Sequence, residues 1–176
     1  MKFAPAEIPG VWIIEPTKLL DERGFFARIF DAEQFAELGM DPAVVQCSTS
    51  HNARTGTLRG VHYQTAPHGE AKLIRCVRGS MHDVVVDLRP DSPAYCRWVA
   101  TEVSAENGRM VFAPAGVAHG FQTLADGTDV YYQISQPYVP EAARGVRWDD
   151  PAFGIDWPPA DRIISERDRS YPDFTP

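Results

Sequence analysis

Apolar residues along this chain fall in short alternating runs, not in stripes with the three-to-four-residue period of helices. Val11-Trp12-Ile13-Ile14 predicts a strand, and positions 25–30 predict another. Asp31 predicts the N-cap of one short helix over 32–38, with Gly39 just past its end. From Val44 onward, runs rich in β-branched and aromatic residues follow at 44–52, 57–64, 71–78, 81–88, 95–103, 109–113, 119–124 and 128–135. Asn107-Gly108, Asp126-Gly127 and Arg78-Gly79 each separate two such runs, and each predicts a tight hairpin turn. Many short strands with regular turns predict an all-β sandwich or barrel, not a parallel α/β sheet.

Alternation along these strands assigns faces. His62 shares a face with Leu58 and Gly60, and Tyr132 shares one with Val130 and Ile134, while Tyr131 points the other way. For Asp83, within Met81-His82-Asp83-Val84-Val85-Val86-Asp87, alternation leaves the inward face open. After Tyr138 the texture changes: Pro140, Pro151, Pro158, Pro159, Pro172 and Pro176 exclude a central strand, yet Trp148 and Trp157 require burial. An ordered, irregular tail packed back over the strands is the expectation. No internal repeat or low-complexity stretch is present.

Composition narrows the function classes. The 176 residues fit one domain spanning 1–176, with 44% hydrophobic and 23% charged residues. A net charge of −7 with no concentration of Lys and Arg argues against a nucleic-acid partner. No apolar run is long enough to span a membrane, and the N-terminal residues lack the layout of a signal peptide, so a cytoplasmic protein is expected. Cys47, Cys76 and Cys96 have no metal-type spacing and read as reduced structural thiols.

Gly108, five residues, then Pro114-Ala115-Gly116-Val117-Ala118-His119 resembles the second signature of the cupin superfamily: a strand, a tight turn and an inward histidine. The resemblance implies a cupin-type jelly-roll barrel. The superfamily's first signature supplies two histidines and a glutamate as metal ligands, and here that region offers only His62. A catalytic metal needs three or four converging ligands, and His62 with His119 makes two. Chemistry without metal or cofactor, run by proton transfer, is therefore predicted.

The resemblance then narrows. Asp21-Glu22-Arg23-Gly24-Phe25-Phe26, Leu58-Arg59-Gly60-Val61-His62-Tyr63-Gln64, Lys72-Leu73-Ile74-Arg75-Cys76, Arg144-Gly145-Val146-Arg147-Trp148-Asp149-Asp150-Pro151 and Ser165-Glu166-Arg167-Asp168 resemble the dTDP-4-dehydrorhamnose 3,5-epimerase family, in its order. That resemblance implies a cytoplasmic isomerase acting on 4-keto-6-deoxy sugar nucleotides at C3, C5 or both. It implies His62 as the base, Asp168 as the carboxylate that holds its tautomer, Lys72 as the cation for the enolate, and Tyr132 as the acid. A lysine within a barrel strand fits that role, because its charge is costly there unless an anion compensates it. The resemblance further implies that His119 hydrogen-bonds the sugar, that Arg23 and Arg59 hold the diphosphate, and that Tyr138 stacks on the base. Phe26, Gln46 and Arg167 also fall at substrate-binding positions. A homodimer with exchanged N-terminal strands is implied, bringing Arg23 to the neighbour's site.

The chain departs from the family pattern at Arg28 and Ala143, where Glu is usual, at Arg167, where Lys is usual, and at Ser48, where Asn is usual. These departures touch the nucleoside side and leave the proton-transfer residues intact. A CDP- or GDP-linked sugar is therefore an alternative to the dTDP-linked one. A metal-dependent cupin enzyme and a non-catalytic nucleotide-sugar-binding cupin are the competing readings.

Overall fold

The computed structural model describes residues 1–175; Pro176, counted above with the tail, lies outside them. In chain order the first strands are β1 (Lys2–Pro5), β2 (Trp12–Glu15), β3 (Leu19–Asp21), β4 (Gly24–Phe26), β5 (Gln46–Asn52), β6 (Thr57–Gln64) and β7 (Lys72–Arg78). They are followed by β8 (Ser80–Asp87), β9 (Trp98–Ser104), β10 (Met110–Ala113), β11 (Val117–Thr123), β12 (Thr128–Ile134), β13 (Ala143–Gly145) and β14 (Ile163–Ile164). Two short helices, α1 (Ala32–Glu37) and α2 (Glu166–Arg169), complete the list.

Two sheets face each other as a cupin-type jelly roll. One has the order β1-β2-β10-β7-β12-β5, and the other β13-β6-β11-β8-β9 with β14 parallel to β6. Their inner faces meet through Ile74, Cys76, Val111 and Val130 from the first sheet and Met81, Val85, Val117 and Phe121 from the second. Burying a side chain such as Phe121 contributes about 1.5–3 kcal/mol. Parts of the outer faces are also covered. Asp31 caps α1 and accepts a hydrogen bond from the Gln34 N–H, and the helix lays Phe35 against Phe3, Phe30 and Phe112. On the second sheet the tail packs Val146, Phe153 and Trp157 over Leu58, Val84 and Val86.

Several sequence expectations change here. The glycine turns at Arg78-Gly79, Asn107-Gly108 and Asp126-Gly127 exist, but none closes a hairpin. Each joins a strand of one sheet to a strand of the other, β7 to β8, β9 to β10 and β11 to β12. A dipeptide that permits a reversal does not specify whether the returning strand pairs alongside or crosses the barrel. The strand expected over 25–30 stops at Phe26, because it pairs only with β3 in a hairpin outside both sheets. The tail is less irregular than its prolines imply, since it adds the short strands β13 and β14 and a second helical turn, α2. All three cysteines are free. Among the described residues no helix is long and apolar enough to cross a membrane.

Candidate active site

The site begins with a fault in the ladder between β6 and β11. His62 pairs with His119, and Arg59 with Phe121, so three steps along β6 match two along β11. This is a β-bulge, and it re-aims the side chains on its strand. Simple alternation would put Leu58 beside His62. Instead Leu58 and Val61 pack outward beneath the tail, while Arg59 and His62 both turn inward. Gly60 makes the bulge possible: its φ is +131°, and a Cβ there would lie 2.5 Å from the Gly120 Cα.

Two imidazole–carboxylate pairs result. The His62 Nε2 lies 2.7 Å from Asp168 Oδ1, and the carboxylate accepts this hydrogen bond. Asp168 is buried on α2, whose N-cap Ser165 accepts from the Asp168 N–H, and its Oδ2 receives the Gly60 N–H at 3.3 Å. Burial works to raise the Asp168 pKa, but hydrogen bonds and charge from His62, with the Gly60 N–H and Ser165, outweigh it and hold the carboxyl below the usual aspartate value. In the second pair, His119 Nε2 meets Asp83 Oδ2 at 2.6 Å. Asp83 is fully buried, and its Oδ1 has no partner among the described residues. The inward face that sequence left open on β8 therefore belongs to the odd-numbered residues.

Tyr132 enters from the opposite sheet, with its ring edge-to-face against His119 at 5.9 Å. Burial, reinforced by the negative charge of Asp83 and opposed only by Arg59, pushes its pKa far above the ordinary phenol value. The hydroxyl therefore stays protonated throughout the physiological range. Lys72 reaches from β7, on the tyrosine's sheet, to within 3.2 Å of the His62 carbonyl oxygen. The anion that compensates it within this chain is Glu70, at 2.8 Å. Sequence reading missed Glu70; the acidic residue two positions before a buried lysine is the signal that could have found it.

The expected binding residues divide into two groups. Arg59 is exposed, and its guanidinium donates to Asn52 Oδ1 at 2.8 Å and to the His51 carbonyl at 3.3 Å. Gln46 pairs with Ile134 on the edge strand β5 and so shares the face that carries Tyr132. Arg167 donates to the Tyr171 hydroxyl at 2.9 Å and neighbours the exposed Tyr138. Arg23 and Phe26 are elsewhere. They project from the β3–β4 hairpin, with Arg23 84% exposed and tied only to Asp21, and Phe26 near Lys18 and Arg75 outside the first sheet. This chain does not bring them to its own His62. Arg28, the unusual residue, pairs with the helix cap Asp31 at 2.7 Å.

Among the described residues no group of three or more His, Cys, Asp or Glu side chains converges as a metal site. A cleft of about 770 Å³ lined by Tyr63, Leu88, Arg89 and Ala115 opens elsewhere and contains neither imidazole pair.

Comparison with known proteins follows the same lines. The family model described as dTDP-4-dehydrorhamnose 3,5-epimerase matches residues 5–175. A dTDP-4-dehydrorhamnose 3,5-epimerase of Sinorhizobium fredii is 44% identical over 173 residues, covering 98% of this chain and 89% of that protein. The crystal structure of the enzyme so named from Elizabethkingia anophelis superposes with a TM-score of 0.95 at 38% identity, over 99% of this chain and 96% of that one. The Bacillus anthracis enzyme, crystallised with TDP and PPi bound, gives 0.94 at 36% identity over 98% and 99%. With its jelly roll, its inward histidines and these full-length matches, the chain belongs to the dTDP-4-dehydrorhamnose 3,5-epimerase family.

Proposed function

We propose that this chain inverts C3 and C5 of a dTDP-linked 4-keto-6-deoxyhexose by removing and returning protons through an enolate, with protein side chains as the acid and the base. The carrying observation is the pairing across the barrel: an imidazole oriented by a buried carboxylate on one wall, and a buried, protonated phenol on the other. A carbon-bound proton beside a ketone is weakly acidic, so its removal needs a placed base. Inversion also needs an acid on the opposite face of the ring. His62 is that base, Asp168 fixes its tautomer, and Tyr132 is that acid. Lys72, held by Glu70 at 2.8 Å, stabilises the enolate oxygen. His119, anchored by Asp83, hydrogen-bonds the sugar. Base and acid each supply roughly 10²–10⁴-fold, and enolate stabilisation with positioning supplies the rest.

Arg59 and Arg167 suit the diphosphate, since a guanidinium fork matches phosphate oxygens with paired hydrogen bonds. Gln46 and Tyr138 complete the nucleotide side. The TDP and PPi seen in the Bacillus anthracis relative support that assignment and favour the dTDP-linked substrate. Arg23 and Phe26 belong to the site of a second copy. Their hairpin exposes Leu20 at 78% and Phe26 at 69%, apolar area that a homodimer would cover.

The test is incubation of metal-stripped protein with dTDP-4-keto-6-deoxyglucose in heavy water. Deuterium is expected at both C3 and C5, with the inverted hexose as product. No exchange, exchange at one carbon only, or exchange that requires an added metal ion would each overturn this reading.

A further inference from the structure

We infer that Tyr171, a tail residue outside the proton-transfer set, is a positioning residue that steadies the His62 imidazole and the Arg167 guanidinium together. This inference rests on the function proposed above.

The argument starts from an empty place in the sheet. Gly145 on β13 pairs directly with His62 on β6, so a side chain at 145 would stand on the same face as the imidazole. There is none, and the Tyr171 ring fills the slot. A Cβ built on Gly145 would lie 2.4 Å from the ring carbons and 2.7 Å from the hydroxyl. The phenol ring thus sits edge-to-face with His62, centroids 6.3 Å apart at 68°. Its hydroxyl accepts from Arg167 Nε at 2.9 Å, one residue before the carboxylate that binds His62.

The tail is anchored so that the ring stays there. Arg147 donates to the Tyr171 carbonyl oxygen at 3.3 Å and pairs with Asp173 at 2.6 Å, and Asp150 accepts the Phe174 N–H at 2.6 Å. His62 needs such support. Its side chain is 38% exposed, and Asp168 restrains it through one ring nitrogen only. An imidazole that can swivel about that bond loses the alignment of its lone pair with the C–H bond, and a misplacement of about 1 Å can cost on the order of 10²-fold in rate.

Ring and hydroxyl therefore have separable effects, read by steady-state kinetics on dTDP-4-keto-6-deoxyglucose. Tyr171→Phe keeps the ring and frees Arg167: KM is expected to rise about 3–10-fold with kcat within about threefold of wild type. Tyr171→Ala removes both, and kcat is expected to fall about 10–100-fold. Gly145→Ala pushes the ring aside and should reproduce that fall, yet add almost nothing in the Tyr171→Ala background. If Tyr171→Ala does not fold, Tyr171→Leu fills its volume without the aromatic edge and carries the same expectation. The inference is overturned if Tyr171→Ala (or Leu) keeps kcat within about twofold of wild type, if Phe fails to restore kcat, or if Gly145→Ala costs as much without the ring as with it. An inactive wild type would instead overturn the proposed function, so the two failures are told apart.

Discussion

Asp168 shows how a single side chain ties chemistry to stability. Its carboxylate receives His62 and the Gly60 N–H in the fold, and that holds its pKa below the ordinary value of 3.8. The sign follows from linkage. A carboxyl with a depressed folded-state pKa contributes stability that is fully present above the unfolded value and is lost as pH falls through the folded one. Asp168→Asn should therefore destabilise the protein in urea unfolding near pH 7, and the gap from wild type should narrow below about pH 4. A gap that stays constant across that range would contradict the assigned shift. As candidates, Asp168 and Lys72 are legible in the sequence because they fall in the motifs that resemble the family, and Tyr132 because strand alternation puts it on a face with Val130 and Ile134. Asn52 and Tyr171 are not, because no motif or alternation marks a residue whose role arises from its neighbours in space. Asp83 lay between: its strand was evident, but alternation fixes a face only when one side is clearly polar, and β8 is buried almost throughout.

At the scale of elements, the run over 57–64 forms a strand with the predicted bounds and His62 faces inward as expected, but Leu58 faces outward. Periodicity counts residues, and a bulge adds one without changing the hydrophobic pattern; Gly60 opposite Gly120 is visible only once the strands are paired. The glycine turns failed for a related reason, since crossing the barrel and reversing within a sheet use the same backbone conformation. The tail's second helix escaped notice because four residues carry too little periodicity, although Ser165 three residues before Asp168 is a capping signal. The β3–β4 hairpin stands outside both main sheets, its two strands paired only with each other. If it serves a partner's site, a mixture of Arg23→Ala and His62→Asn chains should regain activity as mixed dimers form, one site in each then being intact. Activity no greater than the sum of the separate variants would confine Arg23 to its own chain or to no site at all.

On the scale of the whole molecule, the two sheets divide the labour. The β6–β11–β8 wall presents His62, His119 and Asp83, and the β7–β12–β5 wall presents Lys72, Tyr132 and Gln46. The all-β class is legible from strand rhythm, because a barrel's strands announce themselves locally, and the jelly roll from the resemblance of the Gly108–His119 segment to a cupin signature. The assignment of a strand to one wall or the other is not, since it depends on long-range pairing. That assignment puts His62 and Tyr132 on different walls, which is the arrangement the proposed inversion requires. The most direct test follows solvent deuterium and stereochemistry together in two variants. Tyr132→Phe should still exchange the proton beside the ketone, because His62 can remove and replace it from one side, but it should yield no inverted sugar, and His62→Asn should do neither. Inversion by Tyr132→Phe, or exchange by His62→Asn at near wild-type rate, would contradict the account.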